Sequence, residues 1–305
     1  MAFRQHAGAY LRLIRPKHWV KNLFVFAALI FARELFHLEP FLEAVKAFVV
    51  FCLSASAIYI INDVADADAD RAHPEKRHRP IASGAIPVNR ALALALFLLA
   101  VSAIIVSGMH HLFIIAIVMY ILMNLAYSFR LKEVVLLDVF IVAAGFMLRV
   151  LGGAYAINVT VSSWLVLCSL FISLFLGFAK RRSELQRAAP EGAAEQRRVL
   201  AAYSAAVLDQ MLTISAAGAV ISYALYTVAP RTVEIFHTEK LIYTTVFVIF
   251  GVFRYLHLIY TSADVENPTN AVTRDLPIIV TVALWIASCV GIIYSFGPGG
   301  ALLAP

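Results

Sequence analysis

Long apolar runs, separated by short polar segments, dominate the chain. Nine of these runs are close to the roughly 20 residues that an α-helix needs to cross a bilayer. The pattern predicts an all-α integral membrane bundle of about nine transmembrane helices. We expect one polytopic domain over 1–305 that begins with a short amphipathic segment at about 8–19. The runs lie at about 20–36, 41–61, 88–108, 110–129, 134–156, 161–179, 204–229, 240–261 and 276–296.

The composition supports a membrane protein. Hydrophobic residues make up 62% of the 305 residues, charged residues make up only 14%, and the mean hydropathy is +0.83. Soluble domains are nearer half apolar and a quarter charged. The formal net charge of +6 does not indicate nucleic-acid binding, because excess Lys and Arg in a membrane protein mark cytoplasmic loops and attract phosphate groups. We expect the lipid bilayer, and no nucleic acid, as a partner.

The distribution of basic residues predicts the orientation. If the spans alternate from an internal N-terminus, nineteen of the 25 Lys and Arg residues fall on the cytoplasmic side and four on the opposite side. This asymmetry is the positive-inside pattern. We therefore expect a protein of the inner (cytoplasmic) membrane, with the N-terminus and a polar cavity on the cytoplasmic side.

A cluster of acids, Asp63, Asp66, Asp68 and Asp70, follows directly after the second apolar run. Carboxylates at the edge of a bilayer are costly unless they hold something positive. On a helix, Asp63, Asp66 and Asp70 share a face, whereas Asp68 points roughly the other way. Three oxygen donors suit Mg²⁺, which usually shares its coordination shell with substrate phosphates. The spacing predicts a Mg²⁺–diphosphate site at the membrane surface.

Two other interpretations of the acidic cluster are open. It is either a solvated loop balanced by the basic residues at 76–79, or the selectivity ring of a cation transporter or channel. Transporters usually place such acids at mid-membrane, in interrupted helices and often in repeated halves. Here the acids lie at one membrane edge and no internal repeat is evident, so both alternatives rank below the metal site.

The segment 62–84 resembles the UbiA superfamily of intramembrane prenyltransferases. Their signature Asn-Asp-x-x-Asp-x-x-x-Asp is matched by Asn62, Asp63, Asp66 and Asp70, and the following Arg-Pro-Ile-x-x-Gly is matched from Arg79 to Gly84. The resemblance implies a helical bundle with a polar cavity, and walls that hold an isoprenoid chain.

A narrower resemblance links the chain to the decaprenyl-phosphate phosphoribosyltransferase branch of that superfamily. The matching motifs occur in order along nearly the whole chain. They are Arg15-Pro16-Lys17-His18-Trp19-Val20-Lys21-Asn22, Tyr127-Ser128-Phe129-Arg130-Leu131-Lys132 with Asp138, Gly145-Phe146-x-x-Arg149 with Gly152-Gly153, Lys180-Arg181-x-x-Glu184-Leu185, Arg254-Tyr255 and Arg274-Asp275.

The loop between spans six and seven points to the same branch. Aromatic prenyltransferases of the superfamily carry a second acid cluster there, whereas this chain offers Lys180-Arg181-Arg182-Ser183-Glu184. Cations bind a phosphate without a metal, and Arg does so in a bidentate fork. One acid cluster and one basic cluster suit one Mg²⁺–diphosphate substrate and one metal-free phosphate. The resemblance then implies phosphoribosyl diphosphate as the donor and a polyprenyl monophosphate as the acceptor. The alternative is a prenyltransferase that uses a prenyl diphosphate donor and an aromatic or other small acceptor.

The resemblance and the charge pattern together imply a set of site residues. Mg²⁺ is the expected cofactor, with Asn62, Asp63, Asp66 and Asp70 as its ligands. The three aspartates and Lys132 are the expected catalytic residues. The expected substrate-binding residues are Lys17, Lys21, Asn22, Asn62, Lys76, Arg77, Arg79, Tyr127, Arg149, Lys180, Arg181, Glu184 and Arg254.

Several of these residues also have structural interpretations. Arg149 would pair with a buried carboxylate such as Asp138. Arg254 would extend its guanidinium group to the membrane–water interface. Tyr127 would be an interfacial anchor, and Lys132 would simply follow the positive-inside rule.

Overall fold

The computed structural model describes residues 2–74, 76–187, 200, 202–261 and 275–295, with side chains from residue 8. Most of these residues are helical, and no β-strand occurs among them. The α-helices are α1 Ala2–Ile14, α2 Ala27–Phe31, α3 Leu38–Ala65, α4 Ala67–Ala72, α5 Val88–Val106, α6 His111–Phe129, α7 Leu137–Ala156, α8 Ser163–Arg187, α9 Ala205–Val228, α10 Pro230–Phe236, α11 Thr245–Thr261 and α12 Leu276–Ser295. Segments of 3₁₀-helix cover Pro16–Phe26, Lys76–His78, Leu131–Glu133 and Lys240–Thr244.

Eight helical stretches of the described chain are long and apolar enough to cross a membrane, and they confirm eight of the predicted spans. They are Leu38–Ala65, Val88–Val106, His111–Phe129, Leu137–Ala156, Ser163–Gln186, Ala205–Val228, Lys240–Thr261 and Leu276–Ser295.

Residues 20–36 do not form one regular α-helix, and they are not among these eight stretches. Residues Pro16–Phe26 form a 3₁₀-helix, α2 adds only five residues, and the chain then turns at Arg33 with a φ of 64°. A 3₁₀-helix has three residues per turn, so side chains at i and i+3 point the same way. Asn22 and Val25 are accordingly the two buried residues of this segment.

The first compact unit comprises Met1–Leu29, Glu34–Ile141 and Leu148–Thr160. Helix α3 is its centre and packs against α5, α6, α1 and the 3₁₀-segment Pro16–Phe26. Phe51 of α3 contacts the rings of Phe113 and Tyr120 edge-on in the core. Helix α7 approaches the 3₁₀-segment at Gly153, where a Cβ atom would lie 2.0 Å from the carbonyl oxygen of Val25.

The second compact unit comprises Ile30–Arg33, Val142–Met147 and Val161–Pro305. Its main packing joins α8 to α9, and Gly218 of α9 lets the ring of Phe171 lie against the helix. The buried hydroxyl of Tyr223 accepts a hydrogen bond from Trp285 Nε1 at 2.8 Å and shares one with Thr244 at 2.6 Å. These polar contacts tie α9 to the chain around α11 and α12.

Candidate active site

The acidic cluster lies where α3 ends and α4 begins. Asp66 interrupts the two helices with φ −91° and ψ 4°, so the cluster is not one continuous helix. Its backbone N–H still donates to Asn62, and its carbonyl accepts from the N–H of Asp70. Asp63 and Asp70 are buried, with 2% and 4% exposure, so a solvated acidic loop does not describe them. The side chain of Asp68 is 96% exposed.

Each member of the aspartate trio (Asp63, Asp66 and Asp70) faces a basic side chain. Arg79 Nη1 lies 2.6 Å from Asp70 Oδ2 and 3.2 Å from Asp63 Oδ1. Lys132 Nζ lies 3.1 Å from Asp66 Oδ1, and Asn62 Nδ2 donates to Asp66 Oδ2 at 3.0 Å. The structure therefore brings together Asn62, the trio, Arg79 and Lys132, all of which were predicted site residues.

Arg15 is a member of this cluster that the predicted site omitted. Its Nη2 lies 2.6 Å and 2.8 Å from the two carboxylate oxygens of Asp63, and its guanidinium stacks 5.2 Å from the ring centre of Tyr59. Arg15 has a left-handed backbone conformation, φ 51° and ψ 58°, between α1 and the 3₁₀-segment. The sequence held one signal for it, its place at the start of the motif Arg15–Asn22. The two partners are 48 residues apart, so spacing alone could not pair them.

The donor set of the trio fits Mg²⁺ chemically, because its three carboxylates and the amide oxygen of Asn62 are hard oxygen donors close together in the sequence. The geometry differs from that of a formed metal cage. Within the described part of the chain, no three His, Cys, Asp or Glu side chains are grouped to hold a metal ion. The carboxylate oxygens accept hydrogen bonds from cations instead.

A second group of cations is buried in the same unit, around Arg149. Its Nε donates to Asn22 Oδ1 at 2.6 Å, and its Nη2 donates to the hydroxyl of Tyr120 at 2.8 Å. The guanidinium lies 4.7 Å from the ring centre of Tyr120. Lys21 is within electrostatic reach of both Arg149 and Arg15, whose like charges repel it. Positive charge is thus concentrated at this buried position, where an anion would relieve the repulsion.

Four predicted residues of the first unit lie outside these two groups. Lys17, Lys76 and Arg77 are exposed, and Tyr127 is half-buried near the end of α6.

In the second unit, the predicted residues Lys180, Arg181 and Glu184 lie in the last turns of α8. Arg181 is 2% exposed and pairs with Glu184, while Lys180 Nζ lies 3.8 Å from a Glu184 oxygen. Arg182 Nε donates to Asp209 Oδ1 at 2.7 Å, and the hydroxyl of Tyr260 donates to the same oxygen at 2.7 Å. The second of these ion-pair groups links α8, α9 and α11.

Arg254 forms a bidentate ion pair with Asp275, in which its Nε and Nη2 lie 3.2 Å and 2.8 Å from the two carboxylate oxygens. Asp275 also accepts from the N–H of Ile278 at the start of α12. The hydrogen bonds from Arg254 hold the pKa of Asp275 below its usual range.

We expect Arg254 to stabilise the protein through Asp275. Arg254→Gln and Asp275→Asn should lower the apparent Tm in detergent by similar small amounts, and the double variant should be no worse than either single variant, because both remove one interaction. A rise in KM for either substrate in Arg254→Gln alone, with Asp275→Asn normal, would instead mean that Arg254 contacts the substrate.

Comparison with known proteins establishes the family of the chain. The model of the UbiA prenyltransferase family matches residues 22–271. The chain belongs to the UbiA prenyltransferase family. Membership of an enzyme family, together with the eight apolar helices, makes the chain an integral membrane enzyme and removes the support for a transporter.

Two curated relatives and one solved structure define the similarity further. A decaprenyl-phosphate phosphoribosyltransferase of Mycolicibacterium smegmatis is 41% identical over 71% of this chain and 69% of its own. The protein of the same name from Corynebacterium glutamicum is 38% identical over 72% of this chain and 67% of its own. A UbiA homolog from Archaeoglobus fulgidus, solved bound to GPP and Mg²⁺, has a TM-score of 0.71 and 22% identity over 93% of this chain and 99% of that chain. This last likeness concerns the fold.

Proposed function

We propose that this UbiA family member transfers 5-phosphoribose from phosphoribosyl diphosphate to a polyprenyl monophosphate of the decaprenyl type. The reaction releases pyrophosphate and gives polyprenyl-phosphoryl-5-phosphoribose. One observation carries the proposal beyond the family: the chain has a single aspartate cluster, and basic residues occupy the position of the second. Residues 180–204 contain six Lys and Arg residues, three of them at 180–182, and no aspartate. The names of the actinobacterial relatives support the same chemistry.

The donor diphosphate is assigned to the aspartate trio. Asp63, Asp66, Asp70 and Asn62 would hold Mg²⁺, which neutralises the negative charge that develops on the leaving pyrophosphate. Arg79 and Lys132 lie within 3.2 Å of trio oxygens, so either can reach a diphosphate held at that position. Lys76 and Arg77 are exposed beside Arg79 and would add positive charge at the rim.

The reaction is a displacement at the anomeric carbon of the ribose. The bond from C1 to the diphosphate oxygen breaks as the ring becomes oxocarbenium-like, and a phosphate oxygen of the lipid forms the new bond to C1 from the opposite face. The electron pair of the broken bond leaves with pyrophosphate. An ionised phosphate needs little help from a general base, so the mechanism requires no catalytic histidine.

Two groups of cations remain for the other phosphates. Lys180 and Arg181, which Glu184 orients, are proposed to position the acceptor phosphate. The buried group of Lys21, Asn22 and Arg149 is proposed to take a second anionic group of the substrates, because an anion there would relieve the repulsion between the two cations. Lys17 and Tyr127 are further candidates for substrate contacts. The predicted topology puts these groups on the cytoplasmic side of the membrane.

Product analysis tests the proposal. The purified protein in detergent, with Mg²⁺, phosphoribosyl diphosphate labelled in the ribose, and decaprenyl phosphate, should give a labelled lipid that mild acid hydrolyses. A parallel reaction with geranyl diphosphate and 4-hydroxybenzoate should give no prenylated ring. Absence of the labelled lipid would overturn the proposal, and alkylation of the aromatic acceptor would replace it with prenyl transfer.

A further inference from the structure

The aspartate trio is electrically balanced by three cations of the chain itself. Arg15, Arg79 and Lys132, here called the counterion set, contribute the contacts at 2.6–3.2 Å described above. Asp63 is shared by two arginines, and Arg79 bridges Asp63 and Asp70. Three carboxylates thus face three basic groups. The formal charges of these six side chains cancel, so the cluster has no net negative charge to attract a free metal ion.

Burial strengthens the attraction within these ion pairs. The side chains of Asp63 and Asp70 are 2% and 5% exposed, and those of Arg15, Arg79 and Lys132 are 22–28% exposed. Ion pairs in such surroundings are screened far less by water and salt than pairs on a surface. A metal ion that arrives alone must displace guanidinium or ammonium groups from these carboxylates. It would also leave those cations without an anion beside a new divalent charge.

A diphosphate removes this obstacle. Arginine and lysine form charge-assisted hydrogen bonds with phosphate oxygens as readily as with carboxylates. A diphosphate ester also carries more negative charge than one divalent ion neutralises. Each cation of the counterion set could therefore exchange an aspartate for a phosphate oxygen, and the released aspartate could bind the metal. The metal ion and the diphosphate together add less net charge to the cluster than the metal ion alone.

We propose that Arg15, Arg79 and Lys132 act as internal substitutes for the metal, and that they move from the aspartates to the donor when a metal–diphosphate complex binds. The inference rests on the proposed function only in taking the incoming group to be a metal-bound diphosphate. Metal and diphosphate then bind cooperatively, and each strengthens the affinity for the other by the same factor, as linkage requires. Arg15, absent from the predicted site, becomes a residue that positions the donor.

Binding of Mn²⁺ to the full-length protein in detergent tests this proposal. The free ion is followed by electron paramagnetic resonance, first without and then with inorganic diphosphate, after correction for the Mn²⁺–diphosphate complex in solution. We expect weak binding to the native protein alone and binding at least about tenfold tighter with diphosphate. Arg79→Gln should raise the Mn²⁺ affinity measured without diphosphate by about tenfold, because a competing cation is gone, and should reduce the gain that diphosphate provides.

Matched variants make the result decisive. Arg71→Gln removes an arginine whose partner is the exposed Asp68, and it should leave Mn²⁺ binding unchanged. Lys132→Gln removes the counterion of Asp66 on a different element, and it should act like Arg79→Gln if the latter fails to fold. Arginine and lysine variants that bind Mn²⁺ no more tightly than the native protein would overturn the proposal, even if the native protein makes the labelled lipid. Tighter binding in the variants would support it, even if phosphoribosyl diphosphate proves not to be the donor.

Discussion

Asp63→Asn and Asp66→Asn are expected to lower the rate of lipid-linked phosphoribose formation by roughly 10²- to 10³-fold. Each substitution replaces a charged oxygen donor of the proposed metal site with a neutral amide, and so weakens the stabilisation of the departing pyrophosphate. The measurement is the initial rate of labelled lipid formation at saturating Mg²⁺ and donor, with the apparent Tm recorded for every variant.

Asp68→Asn is the matched control for this prediction. Asp68 lies in the same segment, but its side chain is 96% exposed and pairs only at the surface with Arg71. We expect its activity to stay within about threefold of the native rate, because exposed ion pairs contribute little. Equal losses at Asp63, Asp66 and Asp68 would mean that the trio has no special role.

Gly153→Ala is expected to destabilise the protein by about 3 kcal/mol or more, since overpacking against backbone is costlier than overpacking against a side chain that can rotate. The added methyl group would lie 2.0 Å from the carbonyl oxygen of Val25 and 2.8 Å from its carbonyl carbon. The 3₁₀-segment would have to move away from α7. That segment carries Lys21 and Asn22, so activity should fall further than stability alone explains.

Thermal unfolding in detergent and the initial rate at a temperature well below Tm measure these two effects. Gly251→Ala provides the comparison, because a Cβ atom there meets nothing within 4 Å. It should keep the native Tm or raise it, since alanine favours a helix over glycine. If Gly153→Ala unfolds at the native temperature, the close packing of α7 on the 3₁₀-segment is wrong.

The spans were predictable because their signal is local. A run of about 20 apolar residues needs no knowledge of its neighbours to be assigned to the bilayer. The segment 20–36 shows that hydrophobicity alone does not determine the kind of helix that forms. Its hydrophobicity predicted a span, whereas the structure has a 3₁₀-helix over Pro16–Phe26, with Asn22 and Val25 packed inside the first unit. Such contacts do not appear in a hydropathy pattern.

The acidic part of the site was likewise predictable from local spacing. Helical periodicity separated Asp68 from Asp63 and Asp70, and the structure agrees, although a break at Asp66 divides the segment into α3 and α4. The cations around the trio come from distant positions. Arg15 meets Asp63 across 48 residues, and Lys132 meets Asp66 across 66. No periodicity connects such pairs.

Arg149 is another residue whose partners lie far away in the sequence. The sequence indicated that a cation inside α7 needs a partner, and it offered a buried carboxylate such as Asp138 as one candidate. The contacts described here are with Asn22 and Tyr120, 127 and 29 residues away. A local search found the need for a partner and could not identify these two.

The account depends most on the claim that the aspartate trio holds a divalent ion together with the donor's diphosphate. The direct measurement is a crystal structure with Mn²⁺ and phosphoribosyl diphosphate, with anomalous diffraction recorded at the manganese absorption edge. We predict one anomalous peak in contact with Asp63, Asp66 and Asp70, with diphosphate on its other side and Arg15 and Arg79 turned to phosphate oxygens. A donor bound elsewhere, with the trio still paired to its arginines and no peak beside it, would contradict the account.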